Sequence, residues 1–242
     1  MLYLISLGLS KEDISIKAIE AAKQCEILYF ENYTSVYPNS MDDLKNIFKK
    51  EIVKARREDM ENNSLKIIEE SKKNNIGILI IGDCLSATTH ISLIIEARKN
   101  NVEVKLIHSS SILNVVAETG LSLYNFGKVS SLPFNHDNVT SVIENIKLNR
   151  KSNLHSLILL DLDPVNEIFV SINDALFYLE KNGFKEKEKV IACSQLGFNS
   201  TIKYGSINVL KKIRFEKFPQ CLIIPAKKLH FVEEEYINFF EV

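Results

Sequence analysis

The stretch that decides the fold is IGILIIGDCLSATTH, residues 76–90. The apolar run 76–81 stops at Gly82-Asp83. Small and hydroxyl residues follow (Ser86, Ala87, Thr88, Thr89), and then a helical pattern begins. This predicts a buried strand, a tight turn that leaves one carboxylate at the strand's carboxyl end, and a helix. In open α/β sheets that edge is where ligands bind.

The same unit recurs outward from this stretch. Upstream, residues 1–7 read as a strand ending in Gly8-Leu9-Ser10, and Ser15 is placed to cap a helix. Ala18, Ala21, Ala22 and Cys25 share one face of that helix. A strand over 27–30 stops at Glu31. Helix is predicted over 40–50, strand over 51–53, a charged loop over 56–59 and helix over 62–74. After the Gly-Asp turn, Ala87, Ile91, Ile94 and Ile95 form the expected apolar stripe of a helix, and 102–107 is the next strand.

Residues 108–111 (HSSS) break the pattern and read as a hinge. Helix is predicted over 112–123 with Gly120 as its weak point, strand over 129–132 and helix over 139–149. Strand 157–162, helix 171–181, strand 190–193, a short helix within 205–213, strand 221–225 and a closing helix complete the chain. Alternation of strand and helix predicts an α/β fold with largely parallel sheet. The second half changes rhythm, so two α/β domains are expected, 1–109 and 110–242.

The chain has 242 residues and a formal net charge of −1, which supports no global electrostatic case for nucleic acid or membrane partners. No apolar run is long enough to span a bilayer. The first residues lack the basic flank and cleavage site of a signal peptide. Cys25, Cys84, Cys193 and Cys221 are scattered without CxxC spacing and read as buried reduced thiols, consistent with a cytoplasmic protein.

The strand ends carry Gly8-Leu9, Glu31, Gly82-Asp83, Asp161 and Leu196-Gly197. No GxGxxG or GxxxxGK[ST] follows a strand, so a phosphate cradle is not expected. A nucleoside-like ligand without phosphate, held by backbone and apolar groups, suits such an edge better. For Asp83 two readings stand: its carboxylate meets a polar or cationic part of the ligand, or it bonds the amides of its own turn. Glu31 could accept a proton or pair with an arginine such as Arg57. The histidines show no ligand spacing, so no metal is expected. Lys227, Lys228 and His230 read either as a site for an acidic group or as a solvated loop. No nucleophile elbow or Ser/His/Asp set is visible.

Several strings resemble the diphthine synthase family, within the tetrapyrrole-methylase-like class of S-adenosylmethionine-dependent methyltransferases. They are LYLISLGL at the start, ILYFENYTS at 27–35, RREDMENN at 56–63, GDCLSATTH at 82–90 and VKLIHSSSI at 104–112. ETGLSLYNFGK at 118–128, HSLILLDLD at 155–163 and KKLHFVEEEY at 227–236 follow in order. The resemblance spans the whole chain.

It implies a homodimer of two-domain α/β chains with S-adenosylmethionine in the cleft between the domains. The implied contacts to this methyl donor are Leu9, Asp83, Ser86, Ser111, Ile112, Leu160, Leu196 and Gln220. The implied substrate is elongation factor 2, whose 3-amino-3-carboxypropyl-histidine would be methylated repeatedly on its amino nitrogen. No catalytic residue is implied: holding amine and methyl in line supplies most of the rate, a base is needed only to keep the amine neutral, and solvent can serve as that base. Glu31, Tyr33 and Lys228 are candidates for orienting the acceptor.

The chain departs from the family pattern at three places: Ser6 for the usual Gly, Cys84 for the usual Pro, and Gln220 for a common His. Loss of proline's fixed φ at position 84 predicts a looser loop. Two rival readings are a methylase of small tetrapyrroles and a non-catalytic S-adenosylmethionine-binding regulator.

Overall fold

The computed structural model of the protein describes residues 1–61 and 64–242. The chain divides into two compact units, Met1–Leu113 and Asn114–Val242.

The first unit is built on five strands: β1 (Leu2–Ser6), β2 (Ile27–Glu31), β3 (Ile52–Ala55), β4 (Ile76–Ile80) and β5 (Val104–Ile107). All pairs are parallel, in the order β3-β2-β4-β1-β5. Because β side chains alternate, each strand feeds two cores. Leu2, Leu4, Ile76, Ile78 and Ile80 pack on one face, and Tyr3, Ile5, Leu28, Phe30 and Leu79 on the other. Both faces are covered, as a parallel sheet requires.

Helix α1 (Ile16–Lys23) starts at Ser15, whose side chain accepts from the Ala18 amide. Its Ala18, Ala21 and Ala22 lie in the core with Tyr3 and Ile5. Helix α2 (Met41–Phe48) begins with a reciprocal Ser40–Asp43 capping box. The segment expected as a charged loop instead begins a short helix, α3 (Arg57–Glu61). The helix expected over 62–74 is α4 (Ser64–Ser71); residues 62 and 63, including the end of the RREDMENN string, lie outside the described residues.

Helix α5 (Ile91–Lys99) buries Leu93, Ile94 and Ala97, while Ile91 and Ile95 are about half exposed (56% and 48%). The expected stripe is therefore corrected. Ala87 is not helical but stands in a loop with φ +56°, so a helical register counted from it does not carry into α5.

The chain leaves the first unit through α6 (Ile112–Val115), much shorter than expected. A 3₁₀ turn, Val116–Thr119, follows and ends where Gly120 takes φ +82°. The second unit then runs through β6 (Ser130–Leu132), α7 (Ser141–Lys151), β7 (Ser156–Leu160) and a hairpin of β8 (Leu162–Asp163) with β9 (Ile168–Phe169). It continues with α8 (Ile172–Lys181), β10 (Lys189–Ser194), β11 (Thr201–Ser206), α9 (Ile207–Leu210), β12 (Gln220–Ile224) and α10 (Phe231–Ile237).

Here the parallel expectation fails. The sheet order is β11-β10-β12-β7-β6, and only β6 and β7 pair in parallel; the other neighbours are antiparallel. The link from β10 to β11 spans only residues 195–200, too short for a crossover, so the strands must form an antiparallel pair. Strand β11 had no counterpart in the sequence reading. One core, including Ile158, Leu176, Leu179, Val190 and Leu222, lies under α7, α8 and α9.

Candidate functional site

The carboxyl ends of β1, β4 and β5 are fastened to one another. Gly8 and Gly82 form an antiparallel bridge, with the Gly82 amide donating to the Gly8 carbonyl at 2.8 Å and the Gly8 amide returning a bond at 3.1 Å. Both have left-handed φ, +72° and +75°, which glycine adopts at no steric cost. The Cys84 amide donates to Ser6 Oγ at 2.8 Å, so the loop expected to be loosened is tied to the end of β1.

Asp83 joins two loops. Its Oδ1 accepts from the Leu85 amide at 3.0 Å and the Ser86 hydroxyl at 3.3 Å. Its Oδ2 accepts from His108 Nδ1 at 2.8 Å and the Ser109 amide at 3.2 Å. Burial works to raise the pKa of this carboxyl, but these hydrogen bonds outweigh it and hold it below the usual aspartate value. The turn-bonding reading of Asp83 is therefore realised. It does not account for His108, which approaches from the end of β5.

Asp13 plays a parallel part that no motif in the sequence announces. Its Oδ2 accepts from the Leu9 amide at 2.9 Å and from Ser110 Oγ at 2.7 Å, and its carbonyl accepts from Ser109 Oγ at 3.2 Å. The β1 and β5 loops are thereby held together. A Cβ placed on Gly82 would stand 3.9–4.0 Å from Ser111 Cβ, Leu9 Cδ2 and the Ser110 carbonyl. Leu9, Asp83, Ser86 and Ser111 thus meet at one sheet edge, with Ile112 next in the chain. Hydroxyls, backbone and an aliphatic side chain define it. Among the described residues, no lysine or arginine pairs with Asp83.

The donors of Asp83, Cys84 and His108 lie within 4.8 Å of one another. Burial pushes the Cys84 thiol up, keeping it protonated and a poor metal ligand. The direct Asp83–His108 hydrogen bond accounts for the other two.

Glu31 is fully buried at the end of β2. Its Oε1 accepts from the Thr34 amide at 3.1 Å. Its Oε2 lies 3.1 Å from His90 Nε2, close enough for an ion pair but not aligned as a hydrogen bond. His90 in turn contacts Thr88 Oγ1 through Nδ1. The partner the structure gives Glu31 is thus the histidine of the ATTH string. Arg57 instead lies over the ring of buried Tyr33, 5.2 Å from its centroid.

The second unit gathers three further residues. Strands β7 and β10 run the same way with β12 between them, so Leu160, Leu196 and the start of β12 at Gln220 share one sheet edge. All three are buried. The Gln220 amide group is engaged by the protein itself. Its Oε1 accepts from the Ile172 amide at 2.8 Å, and its Nε2 donates to the Phe215 and Lys217 carbonyls at 3.1 and 2.9 Å. Lys228 is exposed, its backbone pinned to Asn153 by two 2.9 Å bonds.

Three of the quoted strings meet at Glu233. Its Oε1 accepts from the Ser122 amide at 2.9 Å, Asn125 Nδ2 at 3.2 Å and His155 Nε2 at 3.4 Å, and its Oε2 from the His230 amide at 3.0 Å. Burial raises this carboxyl, but the donors prevail and bring its pKa down to about 2. The TGLSLYN, HSLILLDLD and KLHFVEEEY strings are therefore parts of one structural clamp.

These features match a known group. The profile of tetrapyrrole (corrin/porphyrin) methylases matches residues 1–203, and the chain belongs to that family. It is a methyltransferase of the S-adenosylmethionine-dependent kind. Within the family it falls among the diphthine synthases. It is 42% identical to the diphthine methyl ester synthase of Candida glabrata, over 99% of this chain and 90% of that one. It is 36% identical to the diphthine synthase of Methanococcus maripaludis, over 99% and 98% of the two chains. A crystal structure of a diphthine synthase superposes with a TM-score of 0.92 at 33% identity, covering 99% of this chain and 95% of the other. Among the described residues, no helix is long and apolar enough to cross a membrane.

Proposed function

We propose that this chain takes methyl groups from S-adenosylmethionine and places them, one after another, on the amino nitrogen of a 3-amino-3-carboxypropyl-histidine in elongation factor 2, a step of diphthamide biosynthesis. The observation that carries the reading is the edge around Gly82. The β1, β4 and β5 loops are fixed there by Asp13 and Asp83, and the space beside Gly82 is bordered by Leu9, Ser111 and the Ser110 carbonyl. Such a surface fits a nucleoside without phosphate. When bound, the donor supplies an electrophilic methyl group on a sulfonium whose departure leaves a neutral thioether.

Leu9, Asp83, Ser86, Ser111 and Ile112 would hold the donor in the first unit, and Leu160, Leu196 and Gln220 in the second. Because the Gln220 amide is fully engaged, its part is to shape the surface rather than to offer a hydrogen bond. Glu31, Tyr33 and Lys228 are assigned to orienting the acceptor. The chain would act in the cytoplasm as a homodimer. Exposed Tyr124, Phe231 and Phe239 support a partner surface on the second unit.

The test is transfer from labelled S-adenosylmethionine to elongation factor 2 isolated from cells lacking the activity, with mass spectrometry of the modified histidine. Successive additions of one methyl mass are expected. Donor binding without transfer would favour a regulator, and transfer to a precorrin-like compound instead would favour a tetrapyrrole methylase.

A further inference from the structure

We propose that His108, oriented by Asp83, is the general base that takes the proton from the acceptor amine. This rests on the methyltransferase reading above and adds to it a residue that neither the family resemblance nor the sequence motifs assign.

The geometry carries the inference. A carboxylate only accepts hydrogen bonds, so the 2.8 Å contact between His108 Nδ1 and Asp83 Oδ2 requires the proton on Nδ1. In the neutral ring, Nε2 then holds a bare lone pair. That nitrogen has no partner among the described residues, and the His108 side chain is 60% exposed against 10% for Asp83. A buried carboxylate fixing the tautomer of an imidazole whose second nitrogen is free is the arrangement of an oriented base. Asp83 is itself immobilised by Leu85, Ser86 and Ser109, so the ring's hydrogen-bonded edge is anchored to a fixed point.

Asp83 and the Cys84 thiol lie on the β4 side of the ring, and Asp13 is bonded to the adjacent Ser109 and Ser110.

The chemistry needs such a group. An alkylamine is protonated near neutral pH and has no lone pair to give. In each round the ammonium N–H bond breaks, its electron pair stays on nitrogen, and the proton bonds to His108 Nε2. The Nδ1–H of the resulting imidazolium remains on Asp83. The freed pair on nitrogen becomes the nucleophile for the methyl carbon. Water then takes the proton from Nε2, restoring the base. Every methyl added to nitrogen releases one proton, so the residue acts once per round.

The experiment uses the full chain with labelled S-adenosylmethionine and modified elongation factor 2. H108Q can still donate to Asp83 but cannot accept a proton. It is expected to lower kcat about 100-fold with little change in donor affinity by calorimetry, to lose the acid limb of the pH profile, and to leave H108A rescuable by added imidazole. A second readout needs no turnover: nitrogen-15 NMR of the free protein should show the Nδ1–H tautomer at His108 in the native chain and lose that preference in D83N. H108Q with native kcat and an intact acid limb overturns the base. So does H108Q activity beside an inactive H108A, which would leave His108 only a positioning partner of Asp83. An Nε2–H tautomer overturns the dyad itself. A native chain that transfers no methyl overturns the methyltransferase reading and the base with it.

Discussion

The backbone amide of Cys84 donates a 2.8 Å hydrogen bond to the hydroxyl of Ser6, and both residues are completely buried. These are two of the three positions at which the chain departs from the family it resembles. Proline at 84 has no N–H to satisfy, and glycine at 6 has no hydroxyl to offer. The two departures answer one another across the ends of β1 and β4, which is why the loss of proline leaves the loop fastened.

Ser6→Gly alone should therefore destabilise the protein by roughly 1–3 kcal/mol, the cost of stranding a buried amide. The double substitution with Cys84→Pro should recover much of that loss. A double-mutant cycle by urea denaturation measures it. Simple additivity of the two effects would remove the compensation argument.

Gly8→Ala should be damaging at the same edge. A Cβ there would stand 2.2 Å from Asp13 Cβ on a backbone with φ +72°. The left-handed strain and the clash together should cost more than about 1 kcal/mol. Because Asp13 holds Leu9 and Ser110, S-adenosylmethionine affinity should fall with stability; calorimetry alongside thermal unfolding reads both.

Asp83→Asn keeps the shape but faces donors with a donor, since His108 Nδ1, Ser109 N, Leu85 N and Ser86 Oγ all give hydrogen bonds to the carboxylate. The donor's Kd should rise at least about tenfold, roughly 1.4 kcal/mol. An unchanged Kd by calorimetry would sink the part assigned to this carboxylate.

Glu233 sets an acid limit. Its pKa in the folded chain is about 2 against an ordinary 4.5, so it is depressed on folding. The stability it contributes is complete above the unfolded value and is lost as pH falls from about 4.5 towards 2. The difference corresponds to something on the order of 3 kcal/mol. Chemical denaturation of Glu233→Gln against the native chain should show a large gap at pH 7 that narrows near pH 3. His155, whose pKa burial lowers despite Glu233, stays neutral: its Nδ1 accepts from the Ala226 amide at 2.9 Å while Nε2 faces Glu233.

Much of the first unit was readable along the chain. Apolar runs ending in Gly8, Glu31 and Gly82 mark parallel strands because burial on both faces leaves little room for polar residues, and the helix cap Ser15 follows from local hydrogen bonding. The second unit was less readable. Alternation of strand and helix is equally compatible with both strand directions, and the TIKYGS strand was hidden because its apolar residues are few. The Ile91–Ile95 stripe failed because φ at Ala87 is a loop property that periodicity does not encode.

The sequence by itself determined that this is an α/β chain of a methyltransferase family with glycine- and carboxylate-bearing loops at strand ends, because periodicity, turn residues and ordered motifs are local signals. Only the tertiary structure decided which residues meet. His108 is 25 positions from Asp83, Glu31 is 59 from His90, and Glu233 is 78 from His155 and 111 from Ser122. Strand order in the sheets brings these pairs together, and strand order depends on packing that no local stretch contains.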